Sequence, residues 1–457
     1  MATHQTHSSI NEEENEANKS LLDSITPPTI NIPVPPLPET PNKHIGKVFY
    51  IGLCFLVLLT AFNSVQGLIA EIYTQLGYPK LGKVSLLGLY GMFFLSVFFT
   101  PGLIKNWNYK SGIVVGSFGY IFSMIAGAIT VSCEDEEHFW CKSPAFINAS
   151  NIIGSMLNGL TAPILWLSAN RYVTACTNED NKGKYFGIFW CFISATQILG
   201  NLMSAFVITH FGQQTFYFVA TGCVLLASLL CSMAPYVPKY SQEDLNEKFI
   251  QKAKKIIALG FSPVMRVLLP FLFLSGMTVA IQNGFEFQII VGSIEGKSKE
   301  EQNYWTAIIF MVQGFFAVIA SYLFGKLIDK TEHKNRVMQL SNFIFTLAIV
   351  FSILAYYRNS LELSYFMGTF WGMGYSSSHA VANVIVAKDF DGSIEGYAVV
   401  QAMIVLAASC GFGLTILLAH KVYTFIFVVT GLLLVNQITT SFYKSPKKEH
   451  ILLTEEY

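Results

Sequence analysis

Thr60–Glu71 reads TAFNSVQGLIAE and lies inside an apolar run from about Val48 to Leu76. The run exceeds the roughly 20 residues that an α-helix needs to cross a bilayer. Asn63, Gly67 and Glu71 are spaced four residues apart, so they share one helical face, with Gln66 beside them. Polar groups at membrane depth are costly and normally face a protein interior or a watery cavity. The plainest role for the two amides is to hold one helix to its neighbours. Glu71, nearer the helix end, can also sit at the membrane surface.

The whole chain has the same character. Of its 457 residues, 52% are hydrophobic and only 13% charged, against about 25% charged in a soluble domain. This composition predicts a polytopic membrane protein and excludes a soluble enzyme. The net charge of zero says nothing about nucleic acid, but no basic aromatic face is visible and no nucleic acid is expected as a partner. No spacing of Cys and His suggests a metal site, and no cofactor is expected. Cys133 and Cys141 flank the polar stretch CEDEEHFWC and are candidates for a disulfide if that loop faces an oxidising space.

Twelve apolar segments can be drawn, near 47–75, 84–104, 111–132, 144–174, 184–209, 215–236, 266–291, 304–328, 337–357, 361–387, 395–419 and 421–442. The longest interior connection divides them equally. The expected fold is an all-α integral membrane protein with twelve transmembrane helices in two six-helix bundles, the major facilitator architecture. The expected units are a disordered, Pro-rich tail over 1–45, an N-terminal bundle over 46–236, a loop over 237–265, a C-terminal bundle over 266–443 and a short tail over 444–457. With this count, most of the 29 lysines and arginines fall on the side holding both tails. Only Lys80, Lys83, Lys142, Lys297, Lys299, Arg358 and Lys421 fall on the other. The positive-inside rule then places both termini in the cytoplasm, in the plasma membrane or an endomembrane. The central loop carries SQEDLNEKFIQKAKKIIA, in which Leu245, Phe249, Ala253 and Ile256 share a face and the lysines lie largely off it. It reads as a basic amphipathic helix on the membrane surface.

The seventh segment repeats the opening pattern. It contains VAIQNGFEFQII, with Gln282, Asn283 and Glu286 at a depth matching Asn63, Gln66 and Glu71 in the first. In folds with parallel repeats, these two helices face one cavity from opposite halves. Further polar residues recur within helices, including Gln197 and Asn201 in the N half and His379 and Asn383 in the C half. Together with the first six, these are the cavity or substrate candidates, suited to a small polar solute or a cation. His379 can titrate near neutral pH, although a lone buried histidine usually has a structural role. No nucleophile and base are arranged for catalysis. After segment eight, Gly325-Lys326-Leu327-Ile328-Asp329-Lys330 matches a G-x-L-x-D-[RK] pattern. There Gly325 allows close helix approach, and Asp329 and Lys330 are candidates for a gate, with a carboxylate suited to pair with cationic groups or a neighbouring helix N-terminus. The equivalent stretch of the N half, Pro101–Asn106, has Lys105 where the aspartate would stand.

Thr60-Ala-Phe-Asn63-Ser-Val-Gln66 resembles the opening signature of the uncoordinated-93-like family of ion channel regulatory proteins, a divergent branch of the major facilitators. The resemblance continues through Ala162–Trp166, Arg171–Thr174, Lys182–Trp190 and Gln197–Ala205, and departs at Ala169-Asn170-Arg171. It implies first a regulator or escort of a partner membrane protein such as a potassium channel. The alternative is a secondary transporter working by alternating access.

Overall fold

The structure is a computed structural model that describes residues 44–133, 140–238, 249–418 and 421–446. The expected disordered tail, the acidic stretch between Cys133 and Cys141, the first part of the central loop and the end of the C-terminal tail lie outside the described residues. Those described are helical, without strands.

The N half comprises α1 (Ile45–Gln75), α2 (Leu81–Val97), α3 (Thr100–Ile104), α4 (Tyr109–Phe118), α5 (Tyr120–Val131), α6 (Pro144–Ala175) and α7 (Lys182–Ser232). A connecting helix, α8 (Phe249–Gly260), follows. The C half comprises α9 (Pro263–Ala280), a π-helical segment (Ile281–Glu286), α10 (Phe287–Ser293), α11 (Lys299–Lys330), α12 (Lys334–Arg358), α13 (Leu361–Asp389), α14 (Ile394–Leu417) and α15 (Val422–Ser441). Nine helical stretches among the described residues are long and apolar enough to cross a membrane, with α4–α5 and α9–α10 each counted as one. α7 is one of the nine and is broken at Gly212, where φ is +82°. Counting its two parts separately and adding α2 and α13 gives twelve. The chain is an all-α integral membrane protein with the twelve-helix, two-bundle architecture read from its sequence.

Local chemistry sets the helix starts. Ser143, Ser262, Ser298, Ser360 and Ser393 each accept a bond from the backbone N–H three residues on, which satisfies a donor the first turn leaves open. Pro144 and Pro263 follow two of these caps, at a position that needs no N–H.

Small residues decide which helices touch. A Cβ on Gly183 would lie 2.2 Å from the Gly325 carbonyl oxygen, and one on Gly325 would lie 2.4 Å from that of Gly183. The glycines thus bring α7 of the N half against α11 of the C half, backbone to backbone. The second seam joins α2 to α14, where Tyr90 stacks on Phe412 with ring centroids 5.5 Å apart. Connecting helix α8 packs against α14 and α3. Ile256 is buried there, and so is Lys252, one turn away, which the sequence reading had placed off the apolar face. Cys133 and Cys141 are joined as a disulfide.

Candidate functional site

Helices from both halves surround a central cavity with about 120 Å³ open to the centres of water molecules, room for several of them. Asn63 and Gln66 reach it from α1, Gln197 from α7, Gln282 and Asn283 from the π-helical segment, His379 from α13 and Gln401 from α14. Aromatic rings supply much of the rest, among them Tyr90, Tyr120, Trp166, Trp190 and Tyr375. Among the described residues, no aspartate, glutamate, lysine or arginine lines it.

The amides are tied as well as displayed. Asn63 Nδ2 donates to Thr196 Oγ1 at 2.9 Å, and Gln66 Oε1 accepts from the Tyr90 hydroxyl at 3.0 Å, both within the N half. Asn283 Nδ2 donates to the Val279 carbonyl at 2.7 Å. Among these amides, one bond crosses between the halves: Gln197 Nε2 donates to Gln282 Oε1 at 3.1 Å. His379 lies between rings, 4.7 Å from Trp190 and 4.6 Å from Tyr375 by centroid, and its Nε2 is buried without a partner. Trp190 in turn stacks on Trp166.

The other sequence candidates sit elsewhere. Asn201 bonds the Gln197 carbonyl at 2.6 Å and Asn383 the His379 carbonyl at 2.8 Å; both brace cavity residues from one turn along the helix without lining the cavity. Glu71 is exposed and accepts from Gln75 Nε2 at 3.0 Å, because α1 runs on past the cavity before Glu71 is reached. Glu286 is buried but turns into the C bundle, where Gln313 Nε2 donates to its Oε2 at 3.2 Å. The cavity therefore has no carboxylate to attract a cation. The aromatic rings were not singled out from the sequence. With 14% of residues aromatic, nothing in their spacing marks those few that reach the cavity.

At the end of the molecule where Ile45 begins α1, hereafter the entry end, polar contacts fasten the halves together. Asp329 accepts from the backbone N–H of Gly183 at 2.8 Å and of Lys184 at 2.6 Å, so it caps α7 from the opposite half. The same carboxylate pairs with Lys388 at 2.7 Å. Lys182 Nζ donates to the Ala387 carbonyl at 2.8 Å, and Thr174 Oγ1 shares a bond with the Tyr397 hydroxyl at 2.6 Å. Asp389 pairs with Lys334 and accepts from the Tyr443 hydroxyl within the C half. Gly325 makes the close helix contact beside Asp329, while Lys330 is exposed in the last turn of α11.

Residues 139–412 match the family model described as Major Facilitator Superfamily. The chain belongs to the major facilitator superfamily. Within the superfamily it is similar to the human protein named unc-93 homolog A, 30% identical over 183 residues. That match covers 38% of this chain and 35% of the human protein, so the chain matches only about a third of the relative's length. The putative potassium channel regulatory protein unc-93 of Caenorhabditis elegans is 24% identical over 179 residues, 37% of this chain and 22% of that protein. These relatives agree with the resemblance carried by Thr60–Gln66, a divergent major facilitator branch. Among solved structures, the proton:xylose symporter XylE superposes with a TM-score of 0.65 at 13% identity. It covers 89% of this chain and 98% of its own, a likeness of fold alone.

Proposed function

We propose that this protein binds an uncharged polar solute in the central cavity and carries it across the membrane by alternating access. The observation that carries this reading is the wall itself. It draws amides from both halves, it has no aspartate, glutamate, lysine or arginine among the described residues that line it, and its Gln197–Gln282 bond spans the interface that must open and close. Amides offer a donor and an acceptor each, and the rings offer faces for stacking. Such a lining suits a neutral solute with hydroxyl or carbonyl groups better than a cation, since Glu71 and Glu286 stand outside it. Asn63, Gln66, Gln197, Gln282 and Asn283 are the proposed ligands, with His379 at their edge and Asn201 and Asn383 as braces. The bundles of residues 46–236 and 266–443 are the proposed moving bodies. The bias of lysine and arginine supports a cytoplasmic entry end. On that reading the Asp329 contacts belong to a state closed to the cytoplasm.

The test is uptake by proteoliposomes containing this chain alone, with labelled hexoses and nucleosides as probes. Transport of one of them is expected, and Gln282→Leu should lower it about tenfold, the loss of one buried hydrogen bond plus the orphaned Gln197 amide.

A second reading makes the protein a regulator or escort of a membrane partner such as a potassium channel. It is favoured by the printed name of the Caenorhabditis elegans relative. No uptake of any probe, together with a channel that co-purifies and changes its current on removal of this chain, would replace the carrier reading with this one.

A further inference from the structure

Glu286 is 1% exposed and sits in the membrane-spanning part of the C half. Its Oε2 accepts from Gln313, but its Oε1 is buried with no hydrogen-bond partner. It borders a small cavity of about 10 Å³, separate from the central one. Around it stand Gln313 from α11, Gly368 and Trp371 from α13, Ile349 and Ser352 from α12, and Phe425 from α15. Among the described residues, no other ionisable side chain lines that small cavity, either from the segment bearing Glu286 or from the helices packed on it. An ionised carboxylate there would have the Gln313 amide as its donor and a largely apolar wall around it, a setting that disfavours charge.

We propose that Glu286 is a proton-binding site, walled off from the solute cavity and mechanically joined to it. A proton from the aqueous phase on one side binds Oε1 and turns the carboxylate into a neutral acid. When the opposite side opens, the acid returns that proton to water, and no other bond is made or broken. A metal ion is a poor occupant. Apart from Glu286, the side-chain oxygens around it come from Gln313 and Ser352, and the remaining wall is largely apolar. The cavity has the volume of a single water centre, too little for a hydrated ion.

The join to the solute cavity is continuous. Gln313 holds Glu286, and its neighbour Gly314 packs against Gln197, where an added Cβ would lie 3.0 Å from Gln197 Cβ. Gln197 binds Gln282, and Gln282 shares with Glu286 the π-helical segment Ile281–Glu286. π-Helical turns of this kind are rare and recur at functional sites. A charge appearing on Glu286 demands water. Turning the π-helical segment to bring Glu286 to water would carry Gln282, on the same segment, away from Gln197.

This coupling rests on the carrier reading; the proton site itself does not. Infrared spectra of the full chain in lipid nanodiscs, with no solute added, test the site directly. Wild type at neutral pH should show a carboxylic acid carbonyl band that shifts in heavy water, disappears on raising the pH, and is missing from Glu286→Gln. If that variant does not fold, Gln313→Leu should shift the same band by removing the bond to Oε2. A wild-type protein without the band, or one that loses it at constant pH when sodium replaces choline, overturns the proposal. Uptake driven by an imposed pH gradient then tests the coupling, since Glu286→Gln should abolish the response to the gradient. A band with no uptake of any solute would leave the proton site standing and sink the carrier. Uptake with a gradient response that survives in Glu286→Gln would sink the coupling and leave the carrier.

Discussion

Gly325 and Gly183 approach so closely that a side chain on either must push the two halves apart, since each would place its Cβ within 2.4 Å of the other's carbonyl oxygen. Gly325→Val is therefore expected to destabilise the closed entry end by about 1–3 kcal/mol, the usual cost of overpacking a tight contact. A lowered thermal unfolding midpoint in detergent checks this, and an unchanged midpoint would contradict it. This is the residue scale at which the sequence was most readable, because glycine and aspartate in the 325–330 pattern carry their own physical logic. The cavity residues were readable by type alone. Asn63, Gln66, Gln282 and Asn283 announce themselves as amides in apolar runs, yet nothing in a single sequence tells Gln282, which faces the cavity, from Glu286, which turns away. The choice depends on which neighbour offers a partner, and Gln313 lies 27 residues further along the chain.

At the scale of elements, hydropathy is a strong signal for where the chain is apolar and a weak one for where a helix bends. The segments drawn at 184–209 and 215–236 correspond to the two parts of α7, which meet at a backbone break at Gly212 that hydropathy alone does not place. Gly212 has φ +82° and ψ 172°, a conformation essentially reserved for glycine. An added Cβ there meets no atom within 4 Å, so Gly212→Ala tests backbone strain in isolation. It should cost about 1–3 kcal/mol. Gly222→Ala, in the helix beyond the break and equally unobstructed, should be neutral or stabilising by up to about 1 kcal/mol. Equal unfolding midpoints for the two variants would mean the break at Gly212 is not a fixed feature. The π-helical segment was invisible beforehand, since its widened turn follows from packing and not from residue preference.

Across the whole molecule, the fastening of the entry end is lopsided. Asp329 of the C half caps a helix of the N half, whereas Lys105 occupies the corresponding place in the N half and offers no such carboxylate. One residue thus holds two backbone donors and Lys388. Asp329→Asn should weaken all three contacts. Spin labels at Asp180 and Lys330, exposed positions on opposite halves, should then report a longer and broader distance distribution by pulsed dipolar spectroscopy. An unaltered distribution would assign the closure to the glycine contact together with the Lys182–Ala387 and Thr174–Tyr397 bonds. The two-bundle architecture itself was legible, because twelve apolar runs and a lopsided distribution of lysine and arginine constrain few other folds. What was not legible was the partner that Asp329 holds, since Gly183 and Lys184 lie 146 and 145 residues earlier in the chain.

That no aspartate, glutamate, lysine or arginine among the described residues lines the central cavity has an electrical consequence. A membrane voltage does work of about 2.3 kcal/mol per elementary charge per 100 mV, but only on charge that moves through it. A neutral solute among amides and rings gives the voltage nothing to act on, whether the cavity is full or empty. If Glu286 is the proton site, a carrier with its proton crosses as a neutral body and one without it crosses with a single negative charge. Voltage would then set the pace of the unprotonated return and leave the loaded step untouched.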